Sequence, residues 1–230
     1  MLHSDLFRIM FFPALILVAA LLVWSRAGGR RKWFRQFAES QGMKPLKKLP
    51  QYLPREVLVN GAGETSTQKN IFYYRKGKSS IYLFDNVILW NVRKGSWERF
   101  YNTRCVIHIP GEHFGQRTFR PAHLFQVATT VANKWLGHPG DFRHEVIGQY
   151  AVQTQSSDGE FPLGENLRMF FSRTSNLSAK FHGQYVSLEW ATVVKTQRNV
   201  GKRDVEQLTT VSKELAQLLA QQEDSFASIR

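Results

Sequence analysis

The feature that most limits what this chain can become is the charge-free run IMFFPALILVAALLVW at residues 9–24, which breaks off into SRAGGRRKWFR. As a helix the run spans about 24 Å, short of the roughly 30 Å hydrocarbon core of a bilayer. Leu6, Phe7 and a snorkelling Arg8 at one end and Ser25 at the other extend it to residues 6–25. Trp24 then falls where amphipathic rings settle, at the water interface. Pro13 lies towards the outer end, where a lost backbone hydrogen bond costs less than at mid-span. The expectation is a single transmembrane helix over 6–25 behind a short tail, residues 1–5.

The alternative is a cleaved secretion signal, for which Ser25-Arg26-Ala27 offers small residues at a cleavage-like spacing. Charge argues against it. Arg8 is offset by Asp5, so the segment before the apolar run is barely basic, whereas Arg26, Arg30, Arg31, Lys32 and Arg35 all follow it. The positive-inside rule places that cluster, and the domain behind it, in the cytoplasm. The same five residues set orientation and are candidates for contact with anionic lipid headgroups, at about 1 kcal/mol for each cation near the surface.

The formal charge of +13 is uneven. Residues 26–55 hold nine Lys or Arg against Glu39 alone, while residues 56–230 hold 21 basic and 16 acidic side chains. The basic balance thus belongs to the stretch beside the apolar run, which argues against a nucleic-acid partner for the domain. The 175 residues from 56 onwards suffice for one domain with a sizeable core. A lone cysteine, Cys105, excludes an internal disulfide framework and leans towards a reducing compartment.

Residues 26–55 read as a basic juxtamembrane helix and a linker. RRKWFRQFAESQG puts Trp33, Phe34 and Phe37 on one helical face with Gly42 as a stop, and KPLKKLPQYLP carries Pro45, Pro50 and Pro54, which make it stiff and extended. Beyond lies an expected α+β domain, mainly an antiparallel sheet with a C-terminal helix. EVLVNG, NIFYYR, SIYLFDNVILWNV and WERFYNTRCVIHIP read as strands, with turns at Lys76-Gly77-Lys78 and Lys94-Gly95-Ser96. PAHLFQVATTVANKWLG (121–137) keeps helical spacing, with Pro121 in its first turn. HEVIGQYAVQTQ reads as extended, LGENLRMFF as a short helix, and LSAKFHGQYVSLEWATVV as two strands round His182-Gly183. KRDVEQLTTVSKELAQLLAQQE aligns Val205, Leu208, Val211, Leu215, Leu218 and Leu219 on one side of a helix.

The order of the strand IYLFDNVIL, then VIHIPGEHFGQRTFRP, a polar strand, a short helix, a hairpin and a closing helix resembles a broad group of uncharacterised bacterial membrane-anchored proteins of unknown function. The resemblance spans roughly residues 33–220 and implies a membrane-tethered domain, hence the bacterial inner membrane with the C-terminal domain cytoplasmic. It supplies no catalytic residue.

Chemistry-bearing motifs are sparse. Histidines gather between Cys105 and His144, but no compact zinc spacing is present, and Cys105 and His108 should face opposite sides of a strand. No metal site is favoured; the candidates are His108, His113, His138 and His144. No G-x-S-x-G occurs, Cys105 sits in the apolar RCVIHI, and NGAGETST lacks the Lys-Ser/Thr of a P-loop. In WNVRKGSWERFYNTR basic and aromatic residues interleave, making Arg93, Lys94, Trp97 and Arg99 a candidate ligand surface, although alternation favours a hairpin with its aromatics inward. The reading is a single-pass, membrane-tethered binding or adaptor module with a protein partner and no cofactor. The alternative is a membrane-associated enzyme, metal-dependent in one version, using the His-rich segment 105–145.

Overall fold

The computed structural model describes residues 29–58, 66–93, 96–121, 142–155, 164–191 and 200–227. The expected span over 6–25 lies outside them, and among the described residues no helix is long and apolar enough to cross a membrane. The chain divides into two units, Met1–Met43 and Lys44–Arg230.

In the first unit, helix α1 covers residues 29–40. Its ending follows from Gly42, which takes φ 73° so that its N–H reaches Glu39 O while Met43 N–H reaches back to Ala38 O, the paired bonds of a Schellman stop. The Trp33 ring stacks on Phe37 at 5.7 Å and meets Phe34 edge-on at 5.9 Å. Arg31, Lys32 and Arg35 are exposed, and the Arg30 guanidinium lies over the Phe34 ring. The helix is amphipathic, as the sequence indicates.

The second unit is α+β. Among its described residues the strands β1 (Lys44–Pro45), β2 (Ser66–Lys76), β3 (Ser79–Arg93), β4 (Ser96–His108), β5 (Gln116–Pro121), β6 (Phe142–Ile147), β7 (Tyr150–Gln155), β8 (Leu177–His182) and β9 (Tyr185–Trp190) form one antiparallel sheet in the order β1-β2-β3-β4-β9-β8-β5-β7-β6. The β2-β3-β4 meander follows the sequence reading, with Gly77 at φ 60° turning β2 into β3. The hairpin of β8 and β9 is inserted between β4 and β5. The β4–β5 connection wraps its tip, with Ile109 N–H donating to Gln184 O and Phe114 N–H to Gly183 O.

Helix α3 (Glu165–Arg173) and the long helix α4 (Lys202–Ala227) complete the domain. Helix α4 packs on β3, β4 and β9, burying Val205, Leu208, Leu215 and Leu219, as their spacing requires. Under α3 lies an aromatic cluster in which the Phe171 ring stacks on Phe119 at 4.1 Å and also meets Tyr150, Phe170 and Phe181. The Tyr150 hydroxyl donates to Thr174 O at 2.6 Å and accepts from Leu177 N–H, tying β7 to the α3–β8 connection. The opposite face of the β2-β3-β4 half is covered by residues 46–58. Leu53 and Val57 join Ile71, Tyr82, Phe84 and Val106 there, with Leu46 and Leu49 packed alongside.

Three local expectations are corrected. EVLVNG does not begin as a strand: Arg55–Leu58 forms a single helical turn, α2, because Pro54 precedes it and Val57 N–H closes onto Pro54 O. HEVIGQYAVQTQ is two strands rather than one extended piece, since Gly148 at φ 56° turns β6 into β7. Pro121 ends β5, paired with Tyr150, instead of opening a helix; the remainder of the 121–137 helix lies outside the described residues.

Candidate functional site

Side-chain alternation along β4 sends Cys105 and Ile107 under α4 and turns Arg104, Val106 and His108 to the opposite face. Register there sets Arg104 against Glu189 of β9. The Arg104 side chain, 2% exposed, donates from Nη2 to Glu189 Oε2 at 2.5 Å and from Nη1 to Val57 O at 3.1 Å. Asn102 Nδ2 donates to the same carboxylate oxygen at 2.7 Å. The pair is thus largely buried beside the α2 turn, with the Asn102 amide and Val57 O as its neutral partners.

Lys180 of β8 lies on that face, opposite Ser187 on one side and Thr118 on the other. Its Nζ donates to Glu56 O at 2.8 Å. Burial holds the ammonium pKa below its ordinary value, helped by the charges of Arg104 and Arg120 and opposed by the carboxylates of Glu56 and Glu189. Arg120, exposed, lies two residues along β5 from Thr118 and so shares its face. The positions of β8, β5 and β7 facing this way are Ser178, Lys180, His182, Gln116, Thr118, Arg120, Ala151 and Gln153. They hold no carboxylate among the described side chains.

Next to this basic patch stands an aromatic cluster. His108 stacks on Tyr185 at 4.7 Å and meets Tyr52 at 5.4 Å, with Nε2 at 3.4 Å from Gln184 Oε1. The Tyr52 and Tyr82 hydroxyls are 2.5 Å apart, and the Tyr185 hydroxyl donates to Tyr52 O. Burial, then the Tyr52 hydroxyl, pushes the Tyr82 pKa well above the usual phenol range. Burial lowers the His108 pKa from 6.5, partly opposed by its bond to Gln184. A histidine whose pKa falls on folding stabilises the fold fully above pH 6.5, and that contribution is lost as pH drops through its folded value. His108→Gln is therefore expected to lose less Tm than the wild type between about pH 7 and about pH 5. Parallel Tm curves for the two proteins would show that His108 carries no such acid penalty.

Two buried ionisable groups of the sheet, Cys105 and Asp85, are structural. Burial pushes the Cys105 thiol up to about 12, against the Ser212 hydroxyl and the Lys213 charge, so it is an inert thiol at neutral pH. Asp85, fully buried, accepts from Thr103 Oγ1 at 2.7 Å and from Asn70 Nδ2 at 2.9 Å. Asn70 sits in the β2 bulge at φ 50°, a conformation Asn tolerates.

The residues singled out from sequence are scattered. Arg26, Lys94 and His138 lie outside the described residues, as do the side chains of Arg93, Trp97, Arg99 and His144, whose backbones belong to β3, β4 and β6. His108 is packed among tyrosines, whereas His113 is exposed in the β4–β5 connection. Among the described residues no three His, Cys, Asp or Glu side chains come together. Sequence reasoning missed Arg104, Lys180, Arg120 and Glu189. The alternation of SAKFHG marks Lys180 and His182 as outward, but nothing local announces Glu189 as the partner of Arg104. Comparison of the chain with protein-family models, with curated proteins and with solved structures returns no match.

Proposed function

We propose that this chain is a single-pass, membrane-tethered binding or adaptor module whose α+β domain lies in the cytoplasm at a bacterial inner membrane. The observation that carries the reading is the order of charge: residues 9–24 hold none, and Arg26, Arg30, Arg31, Lys32 and Arg35 follow at once. The exposed cations of α1 suit a position at an anionic leaflet. The resemblance to membrane-anchored bacterial proteins of unknown function points the same way. Binding rather than catalysis is favoured because the described polar side chains of this sheet face, Ser178, Lys180, His182, Gln116, Thr118, Arg120 and Gln153, are held at fixed strand positions as in a recognition surface.

Fusing reporters to Arg230 tests the tether. A fluorescent fusion that is full-length and sediments with membranes is the expected result, together with an inactive alkaline phosphatase fusion. An active phosphatase on a shortened product would mean a cleaved signal. An active phosphatase at full length would mean an anchor of the opposite orientation.

A further inference from the structure

The face of β8 and β5 beside the Arg104–Glu189 pair brings three cations, Arg104, Lys180 and Arg120, near two carboxylates, Glu189 and Glu56. Glu189 is engaged by Arg104 and Asn102, and Lys180 donates to Glu56 O beside the Glu56 carboxylate, so the excess cation of the group is the exposed Arg120. Crowding of like charges opposes folding, and a bound anion relieves it. Donors suited to oxyanions share the patch: the Thr118 hydroxyl directly opposite Lys180 and the Gln153 amide directly opposite Thr118. Neighbouring positions on adjacent strands lie about 5 Å apart, so these groups can converge on one small anion.

We propose that this face is a binding site for a soluble, phosphate-bearing small molecule, whose oxyanion is held by Lys180, Arg120 and Thr118. Three features select that ligand over other anions. A single-stranded nucleic acid needs rings on which bases stack, and the described outward side chains of β8, β5 and β7 include no Phe, Tyr or Trp. The neighbouring Tyr185 ring is already stacked on His108. A bilayer needs cations that reach a plane, whereas the Lys180 ammonium is half-buried and fastened to Glu56 O, accessible to a small anion entering the face. The proposal rests on the reading of the domain as a binding module and is independent of the direction of its tether.

The test uses the full chain in phosphatidylcholine nanodiscs, titrated with inorganic pyrophosphate at constant ionic strength and followed by calorimetry. Saturable binding is expected, weakened about tenfold or more by Arg120→Gln and further by Arg120→Gln with Lys180→Gln. Lys76→Gln with Arg203→Gln, which removes two exposed charges elsewhere, should bind as the wild type does. Arg120 is exposed, so its single variant tests the site even if the Lys180 variant unfolds. Absence of saturable binding, or equal weakening in both double variants, would overturn the proposal. So would loss of binding in phosphatidylglycerol nanodiscs, which would give the face to headgroups, or a single-stranded oligonucleotide binding more tightly than pyrophosphate. A failed titration alongside a cytoplasmic, full-length reporter fusion would remove this site and leave the tether standing; the reverse pair of results would remove the tether alone.

Discussion

Replacing Glu189 by alanine is expected to cost about 3–5 kcal/mol of stability, because it strands a buried cation. The Arg104 side chain is 2% exposed and donates its charge-assisted bond to Glu189 Oε2. A guanidinium cannot escape by losing its proton, so the charge would remain without its carboxylate, and Asn102 Nδ2 would lose its acceptor as well. Glu189→Gln keeps an acceptor of the same shape and should cost less, about 1–3 kcal/mol. Arg104→Met combined with Glu189→Leu removes both charges and should recover most of the loss, since apolar pairs of similar volume often match a buried ion pair. Urea unfolding of the wild type, Arg104→Met, Glu189→Leu and their combination closes a double-mutant cycle. A loss under about 1 kcal/mol for Glu189→Ala would mean that water reaches Arg104 and that the pair acts as a surface bridge.

Phe171→Ala is expected to cost about 3–5 kcal/mol, through lost transfer energy and the cavity left behind. Its ring is fully buried and touches Phe119 on β5, Tyr150 on β7, Phe181 on β8 and Phe170 on its own helix. Those partners come from four elements, so no single side chain can move to fill the space. Met169→Ala, on the same helix but 53% exposed, should stay within about 0.5 kcal/mol. Similar losses for the two variants would show that helix propensity, not the aromatic packing, governs this part of the domain.

Local chemistry made much of the architecture legible. Gly77 and Gly183 supply the positive φ that two-residue turns demand, so the β2–β3 and β8–β9 hairpins could be placed from sequence. The apolar stripe of α4 was equally clear, although Thr209 and Ser212 are also buried in it, each returning its hydroxyl to the carbonyl four residues back. Neither could be recognised as a core residue from its type. The Arg55–Leu58 turn reads as strand from sequence because Val57 and Val59 follow Pro54, and the Gly148 hairpin reads as one piece because Val146 and Ile147 precede it and Val152 follows. The charged patch was less visible still. Arg104 and Glu189 are 85 residues apart, and Lys180 and Glu56 are 124 apart. Their meeting depends on the strand order of the sheet, which no local pattern encodes.

The hairpin lodged between β4 and β5 imposes an order on folding. The meander of β2, β3 and β4 uses contacts close in sequence and can assemble while the rest of the chain is still being made. The far edge of β4 then waits for β9, whose partner residues begin at Tyr185. Until synthesis passes Trp190 that edge presents unpaired amides, the type of surface on which strands of other chains add. Strand β5, joined to β4 by residues 109–115, can occupy the vacancy as an ordinary hairpin partner. Any such pairing would have to come apart before β8 and β9 enter, so the strand order requires β4 and β5 to stay apart until Trp190 has been made.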